Sequence, residues 1–327
     1  MEKSALGSMQ EWRDFCESNA DVANKSYETF RRHPVMMSGV EGTNLVSSFQ
    51  NIEFFRENKT HIVSQLLSKI SLSDSIGYPI NTFTFVCNDE KLTLNPTTLR
   101  YAKNWANLID LLLGNSDFES LHISEIGAGY GGEAKVFFDL YSSAALTQKL
   151  VEYSVYDLAS SLGLIKRFLS EFGYQVSFRN VDDNPIIQNC KHLVISNGAL
   201  SEMRGELLDA YLKNVVLKAD YGYFMVNFDT HSKPYEGGIS NEEFFKVLSE
   251  AGKNPIWLDE AKFLTRFDKG ATKLIVFGMN QKRVNEAEKR RSSSISNSIL
   301  ARFVQLYSDR NLDIRQVAKS LKRKIIG

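Results

Sequence analysis

Ile123-Ser124-Glu125-Ile126-Gly127-Ala128-Gly129-Tyr130-Gly131-Gly132 decides how this chain is to be read. A short apolar run ends in glycines, and EAKVFFDLY at 133–141 follows at once with its apolar residues at three-and-four spacing. That is a strand passing through a tight turn into a helix. Glycine permits a sharp turn and a close ligand approach that a β-carbon would block. Gly127, Gly129 and Gly132 satisfy G-x-G-x-x-G, the spacing of dinucleotide-binding loops, so the glycines alone do not choose the ligand.

Outward from this turn, short apolar runs alternate with amphipathic ones, the mark of βαβ units building a parallel sheet covered on both faces. Strands are expected at His122–Ile126, Tyr153–Tyr156, Val176–Arg179, His192–Ser196, Tyr223–Asn227 and Lys273–Gly278, with Pro255–Leu258 as a weaker seventh. Helices are expected at 133–141, 159–171, 205–218 and 241–251. The fold class is therefore α/β, a Rossmann-like sheet over residues 96–280.

Residues 1–95 read as mostly helical, with apolar stripes such as Phe49, Ile52, Phe55 and Ile62, Leu66, Leu67, Ile70, and a hairpin around Asn88-Asp89. After Pro96 a further helix runs through Leu113. Residues 281–327 hold twelve lysines and arginines against four acids, and read as a basic helical tail that packs on the domain or on a second subunit of a homo-oligomer.

Across 327 residues, lysine plus arginine equals aspartate plus glutamate at 39 each, so no global field draws the chain to nucleic acid or a membrane surface. Cys16, Cys87 and Cys190 are far apart and form no paired-cysteine motif, which speaks against a disulfide framework and a structural zinc. No apolar run is long enough to span a bilayer, and no leader is evident at the start; the expected location is the cytoplasm. HExxH, GxxxxGK[ST] and Gly-x-Ser-x-Gly are all absent.

Glu125 stands two residues before Gly127 and gives E-x-G-x-G, which resembles the first motif of class I methyltransferases. A carboxylate there repels a pyrophosphate and favours an ammonium and a sulfonium. Asp157 ends the next expected strand, where an acid accepts from both ribose hydroxyls, and it also suits a helix N-cap. The third strand runs into Asp182-Asp183, and Asp182 is the choice for the exocyclic adenine amine, with Asp183 close behind. One of the two is a surface turn residue.

With the glycine motif, SNGALSEM at 196–203 and YLKNVVLKADYGYFMVN at 211–227 resemble the sugar O-methyltransferase family of bacterial surface-polysaccharide clusters, over roughly residues 98–280. The resemblance implies S-adenosylmethionine as cofactor and a hydroxyl of a glycan or nucleotide sugar as acceptor. It places Glu125, Gly127, Gly129, Asp157 and Asn197 at the cofactor, with Ala128 between the two glycines.

Transfer of a methyl group to a hydroxyl needs in-line alignment and removal of a proton. His33 and His61 lie in the helical N-terminal region, and His122 and His192 open strands at the far end of the sheet. His231 follows a strand's carboxyl end, with Asp229 beside it to orient the ring. Glu202 competes as base, or caps the helix that begins near Gly205. Asp182, Asp183 and Asp229 offer oxygen ligands, but no dedicated metal loop is present and no metal is assigned. The rival readings are a nicotinamide-dependent oxidoreductase or epimerase on the same architecture, and a scaffolding subunit without turnover.

Overall fold

The computed structural model describes residues 5–41, 43, 51, 69–80, 82–87, 90–112, 119–142, 149–183, 189–258 and 273–286. The apolar stripes at Phe49–Phe55 and Ile62–Leu67, His61, the Asn88-Asp89 turn and the tail beyond residue 286 lie outside the described residues. In chain order the described elements begin with α1 (Ala5–Ala20), a 3-10 stretch (Lys25–Arg32) and α2 (Pro34–Gly39), then a hairpin of β1 (Phe83–Cys87) and β2 (Glu90–Leu94). The sheet region follows as α3 (Pro96–Leu112), β3 (Ser120–Ile126), α4 (Gly132–Ser142), β4 (Lys149–Tyr156), α5 (Ala159–Ser170), β5 (Ser177–Arg179) and β6 (Lys191–Asn197). It closes with α6 (Gly205–Asn214), β7 (Tyr221–Val226), α7 (Phe228–His231), α8 (Asn241–Glu250), β8 (Ile256–Leu258) and β9 (Lys273–Phe277).

Seven strands form one sheet in the order β5-β4-β3-β6-β7-β9-β8, and the β1–β2 hairpin stands apart from it. All seven expected strands are present. The sheet is parallel except for β9, which runs antiparallel to both β7 and β8. The expected α/β sheet is thus mostly parallel, with one reversed strand. Sequence neighbours that pair directly do so antiparallel, whereas a parallel return needs a crossover. The helix expected over 205–218 breaks at Val215 (φ −121°) into a 3-10 turn, which buries Val215 and Val216.

Alternation along the strands divides the interior into two layers. Ile123, Tyr153, Leu193, Tyr223 and Leu274 face a core built with α3, α4, α5 and the N-terminal helices. Val194, Phe224 and Ile275 face a second core closed by α6 and α8. α8 opens on a capping box: the Ser240 hydroxyl accepts from the Glu243 N–H (3.1 Å) and the Glu243 carboxylate from the Ser240 N–H (2.6 Å).

The N-terminal helices share the first core. Trp12 Nε1 donates to Ser161 Oγ on α5 (3.0 Å), and the Arg167 guanidinium lies 3.7 Å from the centre of the Tyr27 ring. Arg31, wholly buried, donates to Glu41 (2.5 Å), Asp74 (2.8 Å) and Thr98 (3.3 Å). Its guanidinium also sits 5.0 Å from the ring of Tyr130, inside the glycine turn. Removing one partner of a buried ion cluster leaves the others charged and unpaired. Arg31→Met is therefore expected to lose about 3–5 kcal/mol in urea unfolding. Adding Glu41→Gln should recover part of it, and a loss below about 1 kcal/mol would mean that the cluster behaves like an exposed pair.

Candidate active site

The carboxyl ends of β3, β4, β6 and β7 meet at the glycine turn, where ligands bind in open α/β sheets. Gly127, Gly129 and Gly131 all have positive φ (77°, 61° and 91°). A β-carbon at Gly127 would stand 1.9 Å from that of Ala199, so this position is closed to other residues on two counts. Asp157, just past β4, accepts from the N–H of Gly129 (3.3 Å) and of Leu158 (2.7 Å). Desolvation raises its carboxyl above the ordinary range, against the pull of these bonds. Val40, beyond α2, covers the turn from outside: a β-carbon at Gly129 would meet its side chain at 3.2 Å.

Glu125 is buried and faces inward, where Tyr153 donates its hydroxyl to it (2.8 Å). Glu133, in the first turn of α4, is buried in the same pocket. It accepts from Asn197 Nδ2 (2.9 Å) and from Asn104 Nδ2 (3.4 Å), while Asn104 Oδ1 is buried without a hydrogen bond among the described residues. Burial first, and the neighbouring Glu133 second, push the Glu125 carboxyl well above its usual range. Asn197 thus joins the glycine-turn residues through a partner that the sequence did not single out. Only the position of Glu133 straight after Gly131-Gly132 hinted at it; Asn104 and Tyr153, on other elements, carried no signal.

The turns after β6 and β7 hold the residues considered for proton removal. Glu202 ends a 3-10 turn (Ala199–Glu202) and His231 ends α7; both are exposed. Partial desolvation raises the Glu202 carboxyl, with His231 acting the other way and Asp157 adding to the rise. Glu202 therefore lies within the electrostatic reach of both. Glu202 does not cap α6, whose N-cap position is Arg204. Asp229 does not orient His231: its carboxylate accepts from Asn241 Nδ2 (2.8 Å) and the Asn241 N–H (3.3 Å), clasping the start of α8. Asp183 accepts from the Asn180 N–H (2.7 Å) and is the turn residue, which leaves Asp182 exposed. His122 and His192 are buried against Ser154 (3.0 Å) and Ser124 (2.8 Å), and burial lowers His192 to about 3. Among the described residues no group of acids, histidines or cysteines is arranged to hold a metal, and no helix is long and apolar enough to cross a membrane.

No family model and no curated protein matches the chain. Among solved structures it is similar to a candidate RNA methyltransferase from Pyrococcus horikoshii (12% identity, 55% of this chain, 82% of that one, TM-score 0.35). It is similar to a candidate S-adenosyl-L-methionine-dependent methyltransferase from Methanococcus maripaludis (15%, 54% and 85%, TM-score 0.35). An O-methyltransferase family protein from Burkholderia thailandensis also matches (14%, 55% and 59%, TM-score 0.35). These neighbours are methyltransferases, but likenesses of this size decide neither substrate nor chemistry. The α/β fold class stands on the sheet itself.

The carboxylate pair has a consequence for stability. A carboxyl raised above its unfolded value contributes stability that is present at low pH and lost as pH climbs through the folded value. Glu125→Gln keeps an acceptor for Tyr153 and removes the charge. Thermal melts are expected to show the variant gaining over wild type at pH 8 and gaining less at pH 5. An equal gain at both would place the cause outside ionisation.

Proposed function

We propose that the chain is an S-adenosylmethionine-dependent O-methyltransferase whose acceptor is a sugar hydroxyl. The observation that carries the donor is the pair of buried carboxylates, Glu125 and Glu133, beneath a glycine turn. A pyrophosphate placed on that turn would face both acids and Asp157, whereas an ammonium and a sulfonium are attracted by them. The site fits the group in a second way, since Asn104 Oδ1 is a buried acceptor without a donor among the described residues. The reversed β9 also departs from the order 3-2-1-4-5-6 of dinucleotide-binding sheets.

When bound, S-adenosylmethionine supplies an electrophilic methyl group. In this reading Asp157 holds the ribose hydroxyls, Asp182 the adenine amine, and Glu125 with Glu133 the cationic end, while Gly127, Ala128 and Gly129 leave room for the backbone to approach. Asn197 fixes Glu133. A sugar hydroxyl is too weak an acid to be ionised beforehand, so its proton must be taken as the bond forms. In this reading His231 or Glu202 takes it, and with Asp229 bonded to Asn241 it is Glu202, whose carboxyl feels His231, that is left as the histidine's companion. In this reading the N-terminal helices serve as a lid or acceptor wall, with Val40 standing against Gly129. The sugar class rests on the SNGALSEM and YLKNVVLKADYGYFMVN resemblance.

Calorimetry with S-adenosylmethionine, S-adenosylhomocysteine and NAD tests the donor: the first two are expected to bind, NAD is not, and Asp157→Ala should abolish binding while leaving the fold intact. Binding of NAD alone would overturn the reading. For the proton, His231→Ala is expected to lower turnover by about a hundredfold or more, with donor affinity within a few-fold. Near wild-type turnover of both His231→Ala and Glu202→Gln on a confirmed acceptor would remove the base from this rim.

A further inference from the structure

The turns after β6 and β7 are fastened to each other. Ser232, fully buried, donates its hydroxyl to the Met203 carbonyl (2.9 Å) and accepts from the Ile239 N–H (3.3 Å). Gly205 donates its N–H to the Gly237 carbonyl (2.9 Å). On this fixed rim the Arg204 guanidinium lies 4.3 Å from the centre of the Tyr235 ring. The Arg204 N–H groups have no hydrogen-bond or ion-pair partner among the described residues, and Tyr235 is 51% exposed. Lys233, the other cation of the rim, acts on Glu243, and the nearby acids are Glu202, Glu206 and Glu236. With two cations against three acids the rim has no net attraction for an anion, so an anion can be held there only by a group that offers directed donors.

We propose that Arg204 and Tyr235 form an acceptor-binding platform for an anionic sugar, one whose hydroxylated ring lies on the exposed part of the Tyr235 ring while Arg204 holds its phosphate or carboxylate. A guanidinium whose plane is set by an aromatic ring presents its N–H donors as a fork, and that fork matches the paired oxygens of either anion. An aromatic face fixed by such a contact offers apolar area with little loss of side-chain freedom. The rim continues into Glu202 and His231, so an acceptor on the platform lies beside the groups assigned to proton removal. In its location the inference rests on the methyl-transfer reading; in its ligand chemistry it does not.

The test is ligand-observed NMR titration of the full chain with glucose 1-phosphate, glucuronate and glucose, each with and without S-adenosylhomocysteine. At least one of the two anionic sugars is expected to bind tenfold or more tighter than glucose; preference for the phosphate alone points to a sugar phosphate or nucleotide sugar, and for both to charge in general. Arg204→Met should remove the preference with S-adenosylhomocysteine affinity within twofold, Arg204→Lys should restore it in part, and Tyr235→Ala should weaken all three sugars together. Glucose binding as tightly as both anions, no sugar binding at all, or a tenfold preference surviving in Arg204→Met would overturn the platform. Loss of S-adenosylhomocysteine binding with the sugar preference intact would instead overturn the donor reading and leave the platform standing.

Discussion

A β-carbon at Gly127 would overlap that of Ala199 at 1.9 Å, and the candidate site depends on this closeness. It sets the end of β3 directly against the turn after β6. Ser196 reinforces the junction, donating to the Ile126 carbonyl (3.0 Å) and accepting from the Leu200 N–H (3.1 Å). With the two strand ends fixed, the positive-φ glycines bend the chain so that α4 starts beneath its own turn and Glu133 enters the pocket of Glu125. A longer side chain at Gly127 would separate the strand ends and pull the carboxylates apart with them.

The N-terminal helices are bound to this turn by charge as much as by packing. Arg31 reaches Glu41 and Asp74 and lies against Tyr130, so residues distant in sequence converge behind the glycines. A buried ion cluster is poor evidence for stability, since apolar replacement is often as good. Its use here is placement. Removing Arg31 from water is tolerable only where both carboxylates and the Thr98 hydroxyl are in reach, and that requirement fixes where α2 and Val40 stand over Gly129.

Strand and helix positions were legible because burial on both faces imposes apolar runs of strand length, and one-sided burial imposes helical spacing. Strand direction was not. Nothing in LIVF at 274–277 differs from a parallel core strand, and the reversal of β9 follows from which neighbours pair. The glycine turn was legible because its backbone geometry restricts the residue type, and Asp157 because an acid stands at the end of a strand. Glu133, Asn104 and Tyr153 were not, because each comes from a different element and only the packed sheet brings them to Glu125. Asp229 misled for the same reason: it stands two residues from His231 in sequence, but the N-terminal end of α8 offered its carboxylate better donors.

Charge is sorted across the site. Below the glycine turn lie two buried acids with Asp157 nearby, and on the rim Arg204 keeps its N–H groups open beside Tyr235. Desolvation raises the Glu202 carboxyl, His231 opposes the rise and Asp157 adds to it. On the proposed reading such an arrangement acts on orientation more than on affinity, because a cationic and an anionic ligand group are drawn to different side chains. On the proposed function a cationic donor would be turned toward the glycine floor and an anionic acceptor toward Arg204. On that reading Glu202 and His231 lie between the two, and a departing proton would meet a carboxylate and an imidazole there.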